Sequence, residues 1–195
     1  MGDLLPDVVF IGGVAVYLHA RESRSGVPPE ASHDADFMVS FRDYGYLKDV
    51  EEVTPNTRLG KHQLVYEGVE FDVYVERMNR LFVPYDEVAA YSETAEGVRV
   101  ASLEHLLVLK LEALKSRSHS RKGDKDRRDV VQVGLLLGVG VRRELVDPYL
   151  VGVHFKFLEE IAGGALFYEL CGGNAHEARR LREAFADFAR VAAGD

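Results

Sequence analysis

Residues 8–19, "VVFIGGVAVYLH", followed after a loop by residues 32–40, "SHDADFMVS", decide how this chain reads. The first is an apolar run, a Gly12-Gly13 turn and about two turns of helix. The second is a strand in which Ala35, Phe37 and Val39 share one face and Asp34 and Asp36 the other. Two carboxylates on one face, about 6–7 Å apart along the strand, repel each other unless a cation relieves them. Glycine at a helix start lets backbone N–H groups approach an anion closely. The pattern asks for a cation on the strand and an anion at the turn.

A third carboxylate comes from the next pair of strands. Residues 62–68, "HQLVYEG", turn at Gly68 into residues 69–76, "VEFDVYVE", as a hairpin. Phe71, Val73 and Val75 form the apolar face of the second strand, leaving Glu70, Asp72 and Tyr74 opposite. Asp34, Asp36 and Asp72 then supply hard oxygen ligands for magnesium, with manganese as the alternative, which pairs one or two carboxylates with phosphate oxygens. Such a site suits two ions and phosphoryl or nucleotidyl transfer. Gly12 and Gly13 are the phosphate contacts. Taken singly, a D-x-D is common on exposed strands, a Gly-Gly pair is mostly a turn, and Asp72 is an ordinary strand residue. Their conjunction, in order and on the right elements, carries the reading.

The rest of the sequence bounds it. At 195 residues and 47% apolar content, the chain can form one packed domain with a helical part. Its one cysteine, Cys171, excludes an internal disulfide and a cysteine-rich zinc site. The net charge of -8 makes the surface as a whole repel nucleic acid. The start has an acidic flank unlike a secretory signal, and no run nears the roughly 20 apolar residues that span a bilayer. The expectation is a cytoplasmic protein without a membrane partner. The seven histidines show no metal spacing, although His33 stands next to Asp34.

The pattern predicts an α/β (α+β) core over 1–102, a small mixed β-sheet flanked by helices, and a helical C-terminal region over 103–195 packed on it. Within the core, residues 41–53 read as a helix, 83–93 as a short helix and 98–102 as a short strand. Beyond it, residues 103–117 are a helix capped by Ser102, and a second helix follows Asp124 as its cap. A third begins at "VDPYLVG", residues 146–152, with Pro148 near its first position. Residues 175–192 are strongly amphipathic.

Residues 110–128, "KLEALKSRSHSRKGDKDRR", are far more basic than their surroundings. Lys110 sits among Leu107, Leu111 and Leu114; it either snorkels to the surface or is directed at a triphosphate. Arg117, Arg121, Lys122 and Lys125 form either a solvated face or a patch for the phosphates of a nucleotide or RNA acceptor. Asp126 and Asp129 share a helix face; they pair with Lys125 or Arg128, or orient Lys110.

Gly12-Gly13, "AVYLHA", Arg24 and "SHDADFMV" resemble the first motif of the DNA polymerase β-like nucleotidyltransferase superfamily, in which a Gly-Gly or Gly-Ser turn precedes a D-x-D strand. "VEFDVYV" is similar to the strand bearing its third carboxylate. "KLEALKSRSHSRKGDKDRRDVVQV" resembles the lysine, arginine and K-D-x-x-D pattern of the AbiEii-like branch, which includes toxins of toxin–antitoxin pairs. The resemblance covers roughly residues 8–135. It implies catalytic and metal-binding roles for Asp34, Asp36 and Asp72, the last as ligand or general base. It implies nucleotide contacts at Gly12, Gly13, Lys110 and Asp126, and a catalytic share for Lys110. It further implies an NTP substrate, such as ATP, an RNA acceptor such as the tRNA 3′ end or a protein acceptor, and a cognate antitoxin. The loop before Asp34 is longer than the family's and the chain shorter than many AbiEii toxins. An antibiotic-type small-molecule nucleotidyltransferase and a non-catalytic nucleotide-binding module are the alternatives.

Overall fold

Strand residues with one apolar and one polar face need a layer on the apolar side, and this chain supplies it from its own helices. The structure is a computed structural model that describes residues 8–22, 27–28, 34–56, 60–66, 68–79 and 81–194. In chain order the elements are β1 (Val9–Ile11), α1 (Gly12–Glu22), β2 (Asp34–Val39), α2 (Phe41–Val50), β3 (Val53–Asn56), β4 (Lys61–Tyr66), β5 (Val69–Val75), α3 (Tyr85–Ala90), β6 (Glu93–Ala95) and β7 (Val98–Val100). Helices follow: α4 (Leu103–Arg117), α5 (Arg121–Leu137), α6 (Arg143–Val146), α7 (Gly152–Gly163), α8 (Leu166–Leu170) and α9 (Ala175–Ala193). The chain divides into two compact units, Met1–His19 with Glu30–Ser102 and Ala20–Pro29 with Leu103–Asp195. Arg24 and His33 lie outside the described residues, as does most of the loop before β2.

The first unit is built on a seven-stranded mixed sheet in the order β3-β4-β5-β2-β1-β7-β6. β2 runs parallel to β5, and β1 to β7; the remaining pairs are antiparallel. The expected α/β class and mixed sheet are therefore present. Phe37 and Val39 of β2, Leu64 of β4 and Val73 and Val75 of β5 bury their side chains against Tyr44 and Leu47 of α2. Phe10 and Phe71 each meet Phe37 edge to face, at 6.1 and 6.0 Å. Each fully buried side chain of this cluster, such as Phe37, Val39 or Val73, contributes about 1.5–3 kcal/mol. With this face committed to the core, the opposite side of β2 and β5 takes the polar residues. His19 of α1 bonds the Ala101 carbonyl through Nε2 at 2.9 Å, tying that helix to the chain just after β7.

Several boundaries differ from expectation. The helix after β2 ends at Val50, and Val53 already belongs to β3, a strand the sequence pattern does not announce. β3 carries Pro55 and lies at the sheet edge, where a missing N–H costs nothing. β6 is likewise additional; it is three residues long and pairs with β7 across Glu96 and Gly97, both with positive φ. The expected hairpin through Gly68 is present, and its register places Gln63 opposite Asp72.

In the second unit α4 is buried nearly all round, and α5 packs on it. Gly134 of α5 allows α9 to come close: a Cβ there would stand 2.7 Å from the rings of Phe185 and Phe188. Asp124 does not cap α5. Ser120 does, its hydroxyl oxygen accepting from Gly123 N at 3.1 Å, and Asp124 falls in the first turn. Pro148 lies in the turn after α6 rather than at a helix start, and α7 begins at Gly152. The pairs Gly163-Gly164 and Gly172-Gly173 mark helix ends, after α7 and after α8. Among the described residues no helix is long and apolar enough to cross a membrane.

Candidate active site

The carboxylates assemble because β2 and β5 are neighbours in parallel register. Asp36 stands opposite Asp72, and Asp34 opposite Glu70, so four acidic residues occupy one side of two adjacent strands. Adjacent strands are about 4.8 Å apart, which makes this a concentrated negative charge. Asp34 and Asp36 are half-buried, and Asp72 is buried. Alternation alone places Glu70 on the same face as Asp72; its register with Asp34 follows only once β2 and β5 are known to pair.

The glycine turn sits directly beside them. Ile11, the last residue of β1, pairs with Asp36, and α1 begins at the next residue. Gly12 has φ +69, in the left-handed region that glycine enters without a steric cost. A Cβ at Gly12 would stand 2.3 Å from Asp36 Oδ2 and 3.0 Å from its Cβ and Cγ. No other residue type fits here. The helix starts at Gly12, two residues earlier than a separate Gly12-Gly13 turn would allow, and its first residue lies against a carboxylate. Anionic oxygen at a helix N-terminus is electrostatically favoured.

Lys61 is not among the sequence-based candidates. It is the first residue of β4, on the same face as Gln63, and its ammonium donates to Asp72 Oδ2. Both side chains are mostly shielded, at 12% and 11% exposure. The sequence does hold a signal: counting back from Gly68 puts Gln63 opposite Asp72 and Lys61 one step further on the same side. A strand taken to begin at His62 leaves the lysine out.

Lys110 belongs to the second unit and does not snorkel. Its side chain is buried, with Nζ 2.6 Å from Asp129 Oδ2 as an ion pair and donating to Asp126 Oδ1 at 3.4 Å. Asp126 is also gripped by Arg117, whose Nε donates to Oδ2 at 2.6 Å and Nη2 to Oδ1 at 3.0 Å. Asp126 and Asp129 thus orient Lys110. The Asp126 carboxylate, expected at the nucleotide, holds two cations of its own chain, and Arg117, expected at an acceptor, is one of them. Arg121 and Lys122 are exposed at the start of α5, and Lys125 is half-exposed in its first turns. A cavity of about 540 Å³ in this unit is lined by Asp124, Arg127, Arg128, Glu160 and Glu169 among others. It mixes both signs of charge and contains no aligned carboxylate pair, so the acidic sheet face is the stronger candidate.

The donor set on that face is chemically right for a hard divalent ion, all of it carboxylate oxygen. Among the described residues no three acidic or histidine side chains converge tightly enough to form a metal cluster. Asp72 instead carries the Lys61 ammonium, a cation where a ligand ion would bind.

No protein-family model matches the chain, and no curated protein matches it. Solved structures do. JHP933 from Helicobacter pylori shares 15% identity with a TM-score of 0.50, over 96% of this chain and 82% of that one. A candidate nucleotidyltransferase from H. pylori shares 14% at 0.49, over 96% and 85%. An antigenic nucleotidyltransferase-like protein from Paracoccidioides brasiliensis shares 18% at 0.44, over 93% and 84%. At 15% identity the likeness to JHP933 is one of fold alone.

Proposed function

We propose that this chain is a metal-dependent nucleotidyltransferase that moves a nucleoside monophosphate from an NTP to an acceptor hydroxyl and releases pyrophosphate. One observation carries the reading. Asp36 and Asp72 stand in register on adjacent parallel strands, Asp34 lies two residues away on the same face, and Gly12 starts a helix against the Asp36 carboxylate. A chain has no folding reason to gather so much negative charge, since like charges side by side on a sheet destabilise it.

Asp34, Asp36 and Asp72 would hold magnesium or manganese. Such an ion, when bound, activates the attacking oxygen and neutralises charge on the phosphates. The residues do the remaining work. Gly12 and Gly13 present backbone N–H groups to phosphate oxygens at the start of α1. Asp72, where it is not a ligand, accepts the proton of the attacking hydroxyl as general base. Lys110, held in direction by Asp126 and Asp129, is the proposed triphosphate contact. Arg121, Lys122 and Lys125 form the proposed acceptor patch, and the tRNA 3′ end is the favoured acceptor. The AbiEii-like pattern around Lys110 supports a toxin of a toxin–antitoxin pair as the biological setting.

The test is incubation with each α-labelled NTP, magnesium, and total RNA or total protein. Label in RNA of tRNA size supports the full reading. Label in protein keeps the chemistry and replaces the acceptor. Pyrophosphate released without label in either polymer points to a small-molecule acceptor. No pyrophosphate release with any NTP and acceptor leaves a nucleotide-binding module.

A further inference from the structure

Lys61 poses a question that the carboxylates alone do not. Its ammonium is a compact, strongly hydrated charge that ordinarily stays in water. Here it is shielded and donates to Asp72 Oδ2, the carboxylate opposite Asp36. Lys61 starts an interior strand of the sheet, flanked by β3 and β5, so its position is set by backbone pairing. A lysine and a divalent ion cannot both occupy that oxygen. A magnesium or manganese ion binds carboxylate oxygen at about 2.0–2.1 Å, and an ammonium already in contact with the same atom repels it.

We propose that Lys61 is a tethered cation that neutralises Asp72 in the ion-free protein and must be displaced before a divalent ion can bind there, so that Lys61 sets the metal affinity of the site. This rests on the metal-binding reading of Asp34, Asp36 and Asp72. The device has two consequences. The acidic face is less repulsive in the absence of an ion, which stabilises the fold. Ion binding is weakened by the competition, so full occupancy calls for the added charge of a triphosphate, whose oxygens favour the ion and attract the released ammonium. Lys61 is a positioning residue in this account; it acts through Asp72.

The opposite role, a lysine that merely holds Asp72 in place for the ion, predicts the opposite sign. If Lys61 organised the ligand, its removal would weaken ion binding. If it competes, its removal strengthens binding.

The experiment is titration of the full chain with manganese, without nucleotide, reading free ion by its paramagnetic resonance. Wild type is compared with Lys61→Met, Lys61→Arg, Asp36→Asn and Asp72→Asn, and thermal midpoints verify that each is folded. Losing a charge-assisted contact on the competing side should tighten manganese binding by about tenfold or more in Lys61→Met. Lys61→Arg keeps a cation on Asp72 and should bind manganese as wild type does. In an Asp72→Asn background, Lys61→Met should change nothing, because the competed oxygen is gone. Lys61→Gln gives the same neutral test if Lys61→Met does not fold. Unchanged or weaker binding in the neutral variants, with wild-type binding that still depends on Asp36, overturns the role of Lys61 and leaves the proposed function standing. Absence of Asp36-dependent manganese binding in both wild type and Lys61→Met overturns the metal reading, and this inference with it.

Discussion

Replacing Gly12 by alanine tests the junction on which the site depends. Two costs add. Alanine in the left-handed region loses about 1–2 kcal/mol relative to its preferred conformations, and Gly12 sits there with φ +69. The new Cβ would also stand 2.3 Å from Asp36 Oδ2. Relief requires that the carboxylate rotate away or that α1 lift from β1, and forced shifts of this kind cost about 1–3 kcal/mol. The expected destabilisation is about 2–5 kcal/mol, a large share of the stability of an ordinary domain. Gly45 is the control. It lies in the exposed middle of α2, where an added Cβ would meet nothing within 4 Å, so Gly45→Ala should stabilise by about 0.5–1 kcal/mol. Urea unfolding of the two variants beside wild type gives both signs in one experiment. NTP binding by Gly12→Ala, measured by calorimetry, should also fall, because the displaced Asp36 and the lifted helix start are both proposed to serve the nucleotide. A Gly12→Ala protein as stable as wild type would refute the described contact between this glycine and Asp36.

Three further outcomes follow from particular contacts. Lys110→Met takes the cation from the buried Asp129 carboxylate, while Asp126 keeps Arg117, and should cost about 3–5 kcal/mol in denaturant unfolding; a loss under about 1 kcal/mol would contradict the buried network. Glu104 is buried, which raises its pKa, but the bidentate hydrogen bonds from Arg142 at 2.9 and 2.6 Å outweigh that and leave it below its ordinary 4.5. A depressed carboxylate contributes stability that is present above about pH 4.5 and lost as pH falls through the folded value, so Glu104→Gln should flatten the acid limb of the stability curve; an unchanged limb would rule this contribution out. Charge reversal at Arg121 and Lys122 should weaken RNA binding and flatten its salt dependence, as expected where fewer counterions are released, while NTP affinity holds; filter binding across a salt series reads both, and an unaltered salt slope would remove this segment from the acceptor site.

How much of this is legible in the sequence depends on which physical signal carries it. The strand with Asp34 and Asp36 declares itself by the alternation of Asp34, Ala35, Asp36 and Phe37, which Met38 then breaks, and the hairpin through Gly68 by its turn residue and two flanking apolar repeats. Both signals are local. The side-by-side placement of Asp36 and Asp72 is a property of non-local parallel pairing, which alternation suggests but does not fix. β3 and β6 escape because they are three or four residues long and carry Thr, Pro, Glu and Asn rather than an apolar face. Pro55 reads as a breaker, yet an edge strand tolerates it. Asp124 looks like the cap of α5 because it immediately precedes "KDRRDVV"; Ser120 wins because the helix gains a further turn and its hydroxyl reaches Gly123. Lys110 defeats the default for a lysine in an apolar helix. The default holds when solvent is the only partner for the ammonium, and here the K-D-x-x-D spacing brings Asp126 and Asp129 to it. Lys61 requires counting a register back from a turn, a step the hairpin already licenses.

The proposed role of the aspartates on β2 and β5 in nucleotidyl transfer depends on carboxylates that single substitutions remove. The most direct measurement is transfer of α-label from NTP to acceptor by wild type and by Asp34→Asn and Asp36→Asn, with thermal midpoints taken on each protein with and without magnesium and NTP. Removing a carboxylate from a crowded acidic face should leave the midpoint equal or higher without ligand. Both variants should be folded, transfer no label and gain no thermal protection from magnesium and NTP, beside a wild type that does both. Near-normal turnover by either variant would contradict the proposed role.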